Sequence, residues 1–406
     1  MGILIIIGVI IVCVLTGSII MIVTRRFRKT GLSVFGIIIF TLMVTCLWLF
    51  IPRHYDRNYL QKSSQWKNLT LRMYADSIGF YIGAIPGGIE ISDPIFCKNF
   101  NSVTAENALK MGPLLRDLKT SDYDFSRADK IVNEAIEKNI RVRGHTLVWG
   151  KQSDMFKNPD LTAWLETFPE QERSNILEKF IENHITTVLT HFRGRVKIWD
   201  CVNETMSMYK PGKLENNVFL KYLGEEYIPR AFEIAHSVDP DLKLYLNEQF
   251  IGYTGKTADA FIDLVKKLKD NNVPIHGVGI QSHVAGKADT AITDLQDFIK
   301  RITDLGLEVE ITELDARLRL FSGADDPYEA QGRYYARMLQ SCINNPLCKG
   351  LTFWGFDDSN CWMDPIPFFF KPNEPYLFDK EMNPKPAFYE MYKTLKEEYE
   401  NRTTEF

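Results

Sequence analysis

The pattern of apolar and polar residues changes near residue 80. Residues 3–23 and 32–51 are apolar runs of 21 and 20 residues without a charged side chain. Each run is long enough to cross about 30 Å of hydrocarbon as a helix. Four positive charges lie in the short loop between them, and such loops are expected to stay in the cytoplasm. The pattern therefore predicts a membrane anchor of two helices over residues 1–51, with the rest of the chain on the extracytoplasmic side.

Two other readings of the N-terminal region stay open. One is a single anchor, and the other is a signal peptide that is cleaved. A signal peptide usually has a basic segment before its apolar core and a small-x-small cleavage site after it, and neither stands out here. Residues 52–75 are polar and favour a tether.

Beyond the tether, short β-like apolar runs alternate with helical patterns. Eight strands with intervening helices predict a (β/α)₈ barrel over residues 76–400, since such barrels typically take about 250 residues plus insertions. A doubly wound open sheet is the alternative, but no Gly-rich phosphate loop follows the first strand. The predicted strands are 80–85, 100–106, 141–149, 196–204, 243–248, 277–283, 308–315 and 350–357. The helices between them include 127–139, 170–191, 225–237, 257–271, 291–305 and 328–344.

Composition agrees with a globular domain, because 45% of residues are apolar and 25% are charged. The chain has 48 Lys+Arg and 52 Asp+Glu residues, and residues 1–63 contain 7 of the basic and 1 of the acidic residues. The remainder therefore has 41 basic and 51 acidic residues, a net charge of −10. An acidic surface disfavours nucleic acid as a partner. The histidines show no metal-binding spacing, and no metal or cofactor is expected.

Seven of the eight predicted strands finish in polar or aromatic residues. In a barrel these residues would surround a single pocket, because active sites form at the carboxyl ends of the strands. Polar residues are common at any strand end, but that explains one such set better than seven. The residues are Glu106 and Asn107, His145 and Trp149, Asn203 and Glu204, Asn247 and Glu248, Gln281 and His283, Glu313 and Asp315, and Trp354 and Asp357.

Glu204 and Glu313 are the residues on which a function can be based. Two carboxyl groups that face one cavity are the minimum equipment for cleaving a glycosidic bond. Glu204 follows Asn203, an amide that can bind a sugar hydroxyl, and this favours Glu204 as the acid/base. Glu313 lies on the strand after His283, whose imidazole can hold a carboxylate as an oriented anion, and this favours Glu313 as the nucleophile. A structural ion pair is the alternative for each.

Other side chains are suited to holding sugar rings. Trp354 and Trp362 are favoured as platforms, because an indole packs on the C–H face of a sugar, while Trp149 fits a platform or a core position. Glu106, Asn107 and Lys110 are candidates for binding hydroxyls. A solvated surface position is the alternative for Lys110.

The chain resembles family-10 glycoside hydrolases from about residue 80 to residue 393. The motifs occur in the family's order and form a specific set. They are residues 100–110, 143–149, Trp199-Asp200-Cys201-Val202-Asn203-Glu204, 279–283, Ile311-Thr312-Glu313-Leu314-Asp315, 352–358, and 377–379 followed by 383–387.

The resemblance implies a (β/α)₈ barrel with retaining endo-β-1,4-xylanase activity. It implies Glu204 as acid/base and Glu313 as nucleophile, with carboxyl groups about 5–5.5 Å apart. It also implies Asn203 on the 2-hydroxyl of the sugar at the cleavage point and His283 bonded to the nucleophile. A disulfide between Cys342 and Cys348 is implied too, and the turn between them is compatible with one. The resemblance further implies residues around the sugars on the non-reducing side: Glu106, Asn107, Lys110, His145, Trp149, Gln281, Trp354 and Trp362. Gln152 and Asn247 are also predicted to bind substrate.

Several positions depart from the family pattern. Gly150 stands where the family usually has His, Asp154 and Phe156 stand where Pro-x-Trp is usual, and Glu248-Gln249-Phe250 replaces a common Asp-Tyr-Asn. These positions line sugar subsites, so a related retaining β-glycosidase or glucanase acting on another glycan stays open. A non-catalytic glycan-binding receptor is disfavoured, because both carboxylates are retained. The Phe-rich loop 365–375 is interpreted as a lid over the cleft or as a packed cover of the barrel end.

Overall fold

The computed structural model describes most of the chain beyond the predicted anchor. Residues 1–51, Phe250 and residues 365–372 of the predicted lid lie outside the described parts. Within the described parts, no helix is long and apolar enough to cross a membrane. The described residues are 57, 59, 64–88, 91–249, 253–284, 288–363 and 373–404.

Eight parallel strands form a closed barrel, which confirms the predicted architecture. The strands are β1 Tyr81–Ala84, β2 Ser102–Thr104, β3 Leu115–Asp117, β4 Asp122–Tyr123, β5 Arg141–Trp149, β6 Ile198–Asn203, β7 Lys243–Glu248, β8 Gly277–Ile280, β9 His283–Val284, β10 Glu308–Ala316 and β11 Cys348–Phe353. The order of the eight barrel strands around the wall is β1-β2-β5-β6-β7-β8-β10-β11, and β11 pairs with β1 to close the barrel. The short β9 follows β8 and pairs with β10, and β3 and β4 form a separate antiparallel ribbon.

The predicted helices are all present, with ends within three residues of the prediction. Local sequence sets these ends. For example, the Asp326 side chain accepts hydrogen bonds from two backbone N–H groups at the start of a helix whose first residue is Pro327. The helices are α1 Leu71–Ser77, α2 Pro94–Asn99, α3 Met111–Leu114, α4 Ser126–Glu137, α5 Gly150–Asp154, α6 Leu161–Leu165, α7 Glu170–Phe192, α8 Val218–Leu223, α9 Tyr227–Val238, α10 Gly255–Asp270, α11 Ala288–Thr303, α12 Pro327–Ile343 and α13 Pro386–Thr404.

A network of buried charges lies among the barrel strands. Arg143 contacts Asp200 at 2.6 Å and Glu310 at 3.1 Å, and Arg141 makes two bonds of 2.8 Å to Glu310. Burial by itself would raise the pKa values of Asp200 and Glu310. The nearby guanidinium charges outweigh this effect, so the pKa values of both carboxyl groups are lowered. His145 Nδ1 lies 2.9 Å from Asp200 and so links this network to the polar residues at the strand ends. The pairing matters because removing one partner leaves an uncompensated buried charge.

The packed domain includes part of segment 52–75, which the sequence favours as a tether. Tyr59 is buried, and Arg57 forms an ion pair of 3.2 Å with Glu374. Leu71 begins α1 and is fully buried in the core. These residues are therefore part of the packed domain rather than of a tether.

The disulfide between Cys342 and Cys348 is present, as predicted. It joins the end of α12 to the start of β11, with the two Cα atoms 5.2 Å apart. Within the described residues, Cys97 and Cys201 are thiols outside this disulfide.

Candidate active site

The carboxyl ends of the barrel strands open into one cleft with a volume of about 860 Å³. Barrel enzymes bind their substrates at this end. The cleft brings together eleven of the predicted site residues: Glu106, Asn107, Lys110, His145, Trp149, Asn203, Glu204, His283, Glu313, Trp354 and Trp362.

The backbone at Glu204 is held in an unusual conformation. Its φ of 57° lies in the left-handed region, which costs a residue with a side chain about 1–3 kcal/mol. The Glu204 N–H donates to the carbonyl of Asn247 at 2.9 Å. The buried carboxylate of Glu248 then accepts from the N–H groups of Thr205 at 2.7 Å and Met206 at 2.9 Å. Glu248, one of the departures from the family pattern, therefore fixes the turn that orients Glu204.

The carboxyl group of Glu204 is surrounded by donors. Its Oε2 accepts from Trp149 Nε1 at 2.9 Å and from Gln249 Nε2 at 3.0 Å, and the ammonium of Lys151 lies 2.9 Å away. Its Oε1 accepts from Gln281 Nε2 at 3.2 Å. The side chain is thus held in one orientation, with its oxygens at the edge of the cleft.

Glu313 is a buried carboxylate held by two side chains. Asn247 Nδ2 donates to Oε1 at 2.8 Å, and His283 Nε2 lies 3.1 Å from Oε2. Burial raises the pKa of Glu313, but the hydrogen bond from His283 and the charges of His145, His283 and Lys110 outweigh it and lower the pKa. Glu313 is therefore an anion near neutral pH, as a nucleophile must be.

His283 is the cationic partner of Glu313. Its Nδ1 lies 2.8 Å from Asp315, which also accepts a 2.8 Å bond from Trp362 Nε1. Burial lowers the pKa of His283, but the carboxylates of Asp315 and Glu313 outweigh it and raise the pKa to about 10. The imidazolium is thus retained well above neutral pH.

We expect His283→Asn to move the acidic limb of the pH profile of kcat/KM to higher pH. Without the imidazolium, the pKa of Glu313 rises, so the nucleophile becomes protonated at a higher pH. An opposite charge at this distance changes a carboxyl pKa by about 1–3 units. The measurement is kcat/KM on xylo-oligosaccharides from pH 3 to pH 8. His191→Asn, on the outer helix α7, is the control, and an acidic limb that moves equally in both variants would contradict the assignment.

Three predicted residues lie outside the cleft lining. Asn247 Nδ2 donates to Asn203 Oδ1 at 2.9 Å, and Gln281 Nε2 donates to the same oxygen at 3.2 Å. These two amides support Asn203, which leaves its own Nδ2 to donate to a sugar hydroxyl. Gln152 contacts neither glutamate. A Cβ added at Gly112 would lie 2.6 Å from Gln152 Nε2, so this side chain packs against a neighbouring loop, and its role in substrate binding stays a prediction.

A polar chain of three residues also lines the cleft. Asn107 Nδ2 donates to Glu106 at 3.1 Å, and Lys110 Nζ donates to Asn107 at 2.9 Å. The same ammonium lies 4.7 Å from the ring centroid of Trp149 and 5.8 Å from that of Trp354. Lys110 is 7% exposed, so a solvated surface position is excluded. Burial lowers its pKa, although the nearby glutamates oppose this.

The structure gives a steric reason for Gly150. A Cβ at this position would lie 2.4 Å from Cγ and 2.6 Å from Cβ of Asn217. Asn217 is the N-cap of α8, and its side chain accepts bonds from the N–H groups of Phe219 and Leu220. The glycine and the capping asparagine therefore form a matched pair between two loops of the cleft.

We expect Gly150→His to destabilise the fold by about 1–3 kcal/mol, the usual cost of overpacking. Adding Asn217→Gly should recover part of this loss, because glycine removes the clashing Cβ and still serves as an N-cap. Urea unfolding of the two single variants and the double variant measures the coupling. Strictly additive losses would show that the two positions do not compete for space.

Sequence reasoning missed Lys151 as a neighbour of Glu204 and treated Gln249 only as a departure from the family pattern. Both side chains contact Glu204, but 53 and 45 residues separate them from it in the chain. Gln249 had a usable signal, since it directly follows a strand end. Lys151 had none, because α5 is brought to Glu204 by the pairing of β5 with β6, in which Trp149 lies beside Asn203.

Comparisons with known proteins place these features in one family. The family model described as Glycosyl hydrolase family 10 matches residues 71–394. A β-1,4-xylanase from Dictyoglomus thermophilum is 36% identical over 77% of this chain and 88% of its own length. Endo-1,4-β-xylanase A from Thermoanaerobacterium saccharolyticum is 33% identical over 78% of this chain, which spans only 27% of that relative.

Solved structures show the same likeness in three dimensions. Xylanase 10B from Thermotoga petrophila, determined in complex with xylobiose, matches with a TM-score of 0.68 and 34% identity. The match covers 82% of this chain and 98% of that one.

Proposed function

The chain belongs to glycosyl hydrolase family 10, and we propose that it is an endo-acting, retaining β-1,4-xylanase. The observation that carries this proposal is the pair Glu204 and Glu313 in one cleft, with Glu313 kept anionic by His283. The names of the relatives and the xylobiose complex of the Thermotoga petrophila enzyme support xylan as the substrate. The cleft volume of about 860 Å³ exceeds that of a single sugar ring, which suits cleavage within a chain of sugars.

In the proposed reaction, Glu313 attacks the anomeric carbon and forms a covalent glycosyl ester. Glu204 gives its proton to the glycosidic oxygen, which leaves as the hydroxyl of the departing sugar chain. In the second step, the Glu204 carboxylate takes a proton from water, and the resulting hydroxide attacks the same carbon and releases Glu313. Asn203 donates to the 2-hydroxyl of the reacting sugar throughout.

Product analysis of the full-length chain acting on xylan tests this proposal. NMR of the first products should show the β-anomer, because two displacements retain the configuration. The α-anomer as the first product would indicate a single displacement by water and would exclude Glu313 as a nucleophile. Release of only single sugars from chain ends would exclude an endo mode.

A related retaining β-glycosidase or glucanase is the second candidate. Gly150 and the segment Glu248-Gln249-Phe250 favour it, since they depart from the family pattern at predicted sugar subsites while both catalytic glutamates are kept. A panel of xylan, xylo-oligosaccharides and β-glucans separates the two candidates. Turnover of a β-glucan without release from xylan would favour the second. A non-catalytic receptor is disfavoured, because both glutamates face the same cleft.

We further propose that residues 1–51 anchor the enzyme in a membrane with the barrel on the extracytoplasmic side. The support is the two uncharged apolar runs and the basic loop between them. Extraction of membranes with alkaline carbonate should leave the full-length chain in the pellet. A reporter fused after Phe406 should be extracytoplasmic, and a cytoplasmic reporter would refute this orientation.

A further inference from the structure

Large apolar side chains are exposed on one side of the cleft. Met155 is 71% exposed, Phe156 56%, Met208 48% and Tyr209 86%, and all four line the cleft. They are half of the eight large apolar residues that are exposed within the described parts of the chain. Such clustering commonly marks a binding surface. We call these four residues the apolar wall.

The apolar wall lies on the side of the leaving group. Met208 and Tyr209 follow Glu204 by four and five residues, and Met155 and Phe156 follow Lys151, which pairs with Glu204 at 2.9 Å. The Phe156 ring centroid lies 5.6 Å from that of Trp149, whose Nε1 donates to Glu204. Glu204 protonates the departing oxygen, so we assign the loop that continues from it through Met208 and Tyr209 to the side of the departing sugar.

Hydrogen bonds fix the two loops that carry the wall. Asp154 accepts from the N–H of Val218 at 2.8 Å and from the hydroxyl of Thr162 at 3.2 Å, so the loop before Met155 is joined to the start of α8. The loop after β6 is closed by an antiparallel bridge between Met206 and Leu214. The wall is therefore prearranged, which limits the entropy lost when a ligand binds.

The chemistry of the wall selects among possible occupants. The two thioethers and the phenyl ring donate no hydrogen bonds to sugar hydroxyls, and Tyr209 adds a single hydroxyl, whereas sulfur and aromatic rings pack favourably on another aromatic ring. An anionic substituent is disfavoured, because the carboxyl groups of Asp154 and Glu215 also line the cleft. A neutral aromatic ring fits these constraints.

We propose that the apolar wall binds an aromatic group attached through a hydroxyl of the departing sugar, as in an aromatic acyl ester. The assignment rests on the proposed glycosidase function and names its substrate class. In an endo reaction the leaving group is itself a sugar chain, so the aromatic ring must be carried as a substituent. The wall thus makes the enzyme selective for aromatically substituted regions of the glycan.

The test compares two substrates that differ only in the aromatic group. One is a xylo-oligosaccharide with a cinnamoyl ester on a leaving-group sugar, and the other is the same compound after mild alkaline removal of the ester. We expect the full-length enzyme to prefer the ester by about 10-fold in kcat/KM, the size expected for burying part of an aromatic ring. The double variant Phe156→Ser with Met208→Ser should lower this ratio to about 1.

Met73→Ser is the matched control, because Met73 is 50% exposed on α1 and does not line the cleft. The ratio of kcat/KM for the ester to kcat/KM for the ester-free compound should be the same in Met73→Ser as in the enzyme without substitutions. A ratio near 1 in the unsubstituted enzyme, or a ratio that the double variant leaves unchanged, would overturn the proposal. If neither compound is hydrolysed, the proposed function fails. The affinities of the two compounds, measured by calorimetry, then test whether the apolar wall binds the aromatic group. Tighter binding of the ester that the double variant abolishes supports the proposal, and equal affinities overturn it.

Discussion

Replacing Glu313 with alanine is expected to lower kcat/KM on xylan by about 10⁵-fold or more, as losses of catalytic nucleophiles commonly do. The variant has no group that can form the glycosyl ester, and His283 and Asn247 lose the anion they hold. Binding of xylo-oligosaccharides should remain measurable by calorimetry, because the donors around the cleft are unchanged. Rates near those of the unsubstituted enzyme would refute the nucleophile assignment.

Added azide makes this result more specific. In Glu313→Ala, azide can enter the space left by the carboxylate and attack an activated aryl β-glycoside directly. The product should be an α-glycosyl azide, formed with release of the phenolate. Recovery of a β-glycosyl azide instead would place the nucleophile elsewhere. Glu215→Ala removes a third carboxylate of the same cleft and is the matched control, with a far smaller loss expected.

Replacing Glu204 with alanine should produce a loss that depends on the leaving group. On xylan, kcat/KM should fall by about 10²–10⁴-fold, because the departing sugar oxygen needs a proton. On an activated aryl glycoside, kcat/KM should change little, since the phenolate leaves without protonation. Equal losses on both substrates would show that Glu204 is not the general acid.

The second step of the reaction provides an independent test of Glu204 as the general base. Without its base, hydrolysis of the glycosyl ester slows, so kcat on the activated substrate should fall although kcat/KM does not. Azide should then raise kcat, because it attacks the ester without needing a base, and the product should be a β-glycosyl azide. The opposite azide configurations expected for the two variants distinguish the roles of the two glutamates.

Several features of the site could not be read from the sequence. Gly150 suggested an altered sugar subsite, but its cause is the Asn217 side chain, 67 residues away in the chain. Gln152, which was predicted to bind substrate, packs against Gly112 and does not line the cleft. Lys151 gave no signal, yet it pairs with Glu204. In each case the surroundings of the residue include a residue from another loop. The local sequence pattern does not indicate which loops come into contact in the fold.

The sequence by itself determined the strand–helix alternation and placed both glutamates at strand ends. Alternation is encoded locally by the spacing of apolar residues, and closing eight such units into a barrel brings all the carboxyl ends to one face. Tertiary structure alone decided the environment of Glu204, namely its left-handed backbone and the donors that surround it, whereas the pairing of His283 with Glu313 was already expected from the sequence. These depend on distances between side chains from different loops, and electrostatic and steric energies follow distance in space rather than position along the chain.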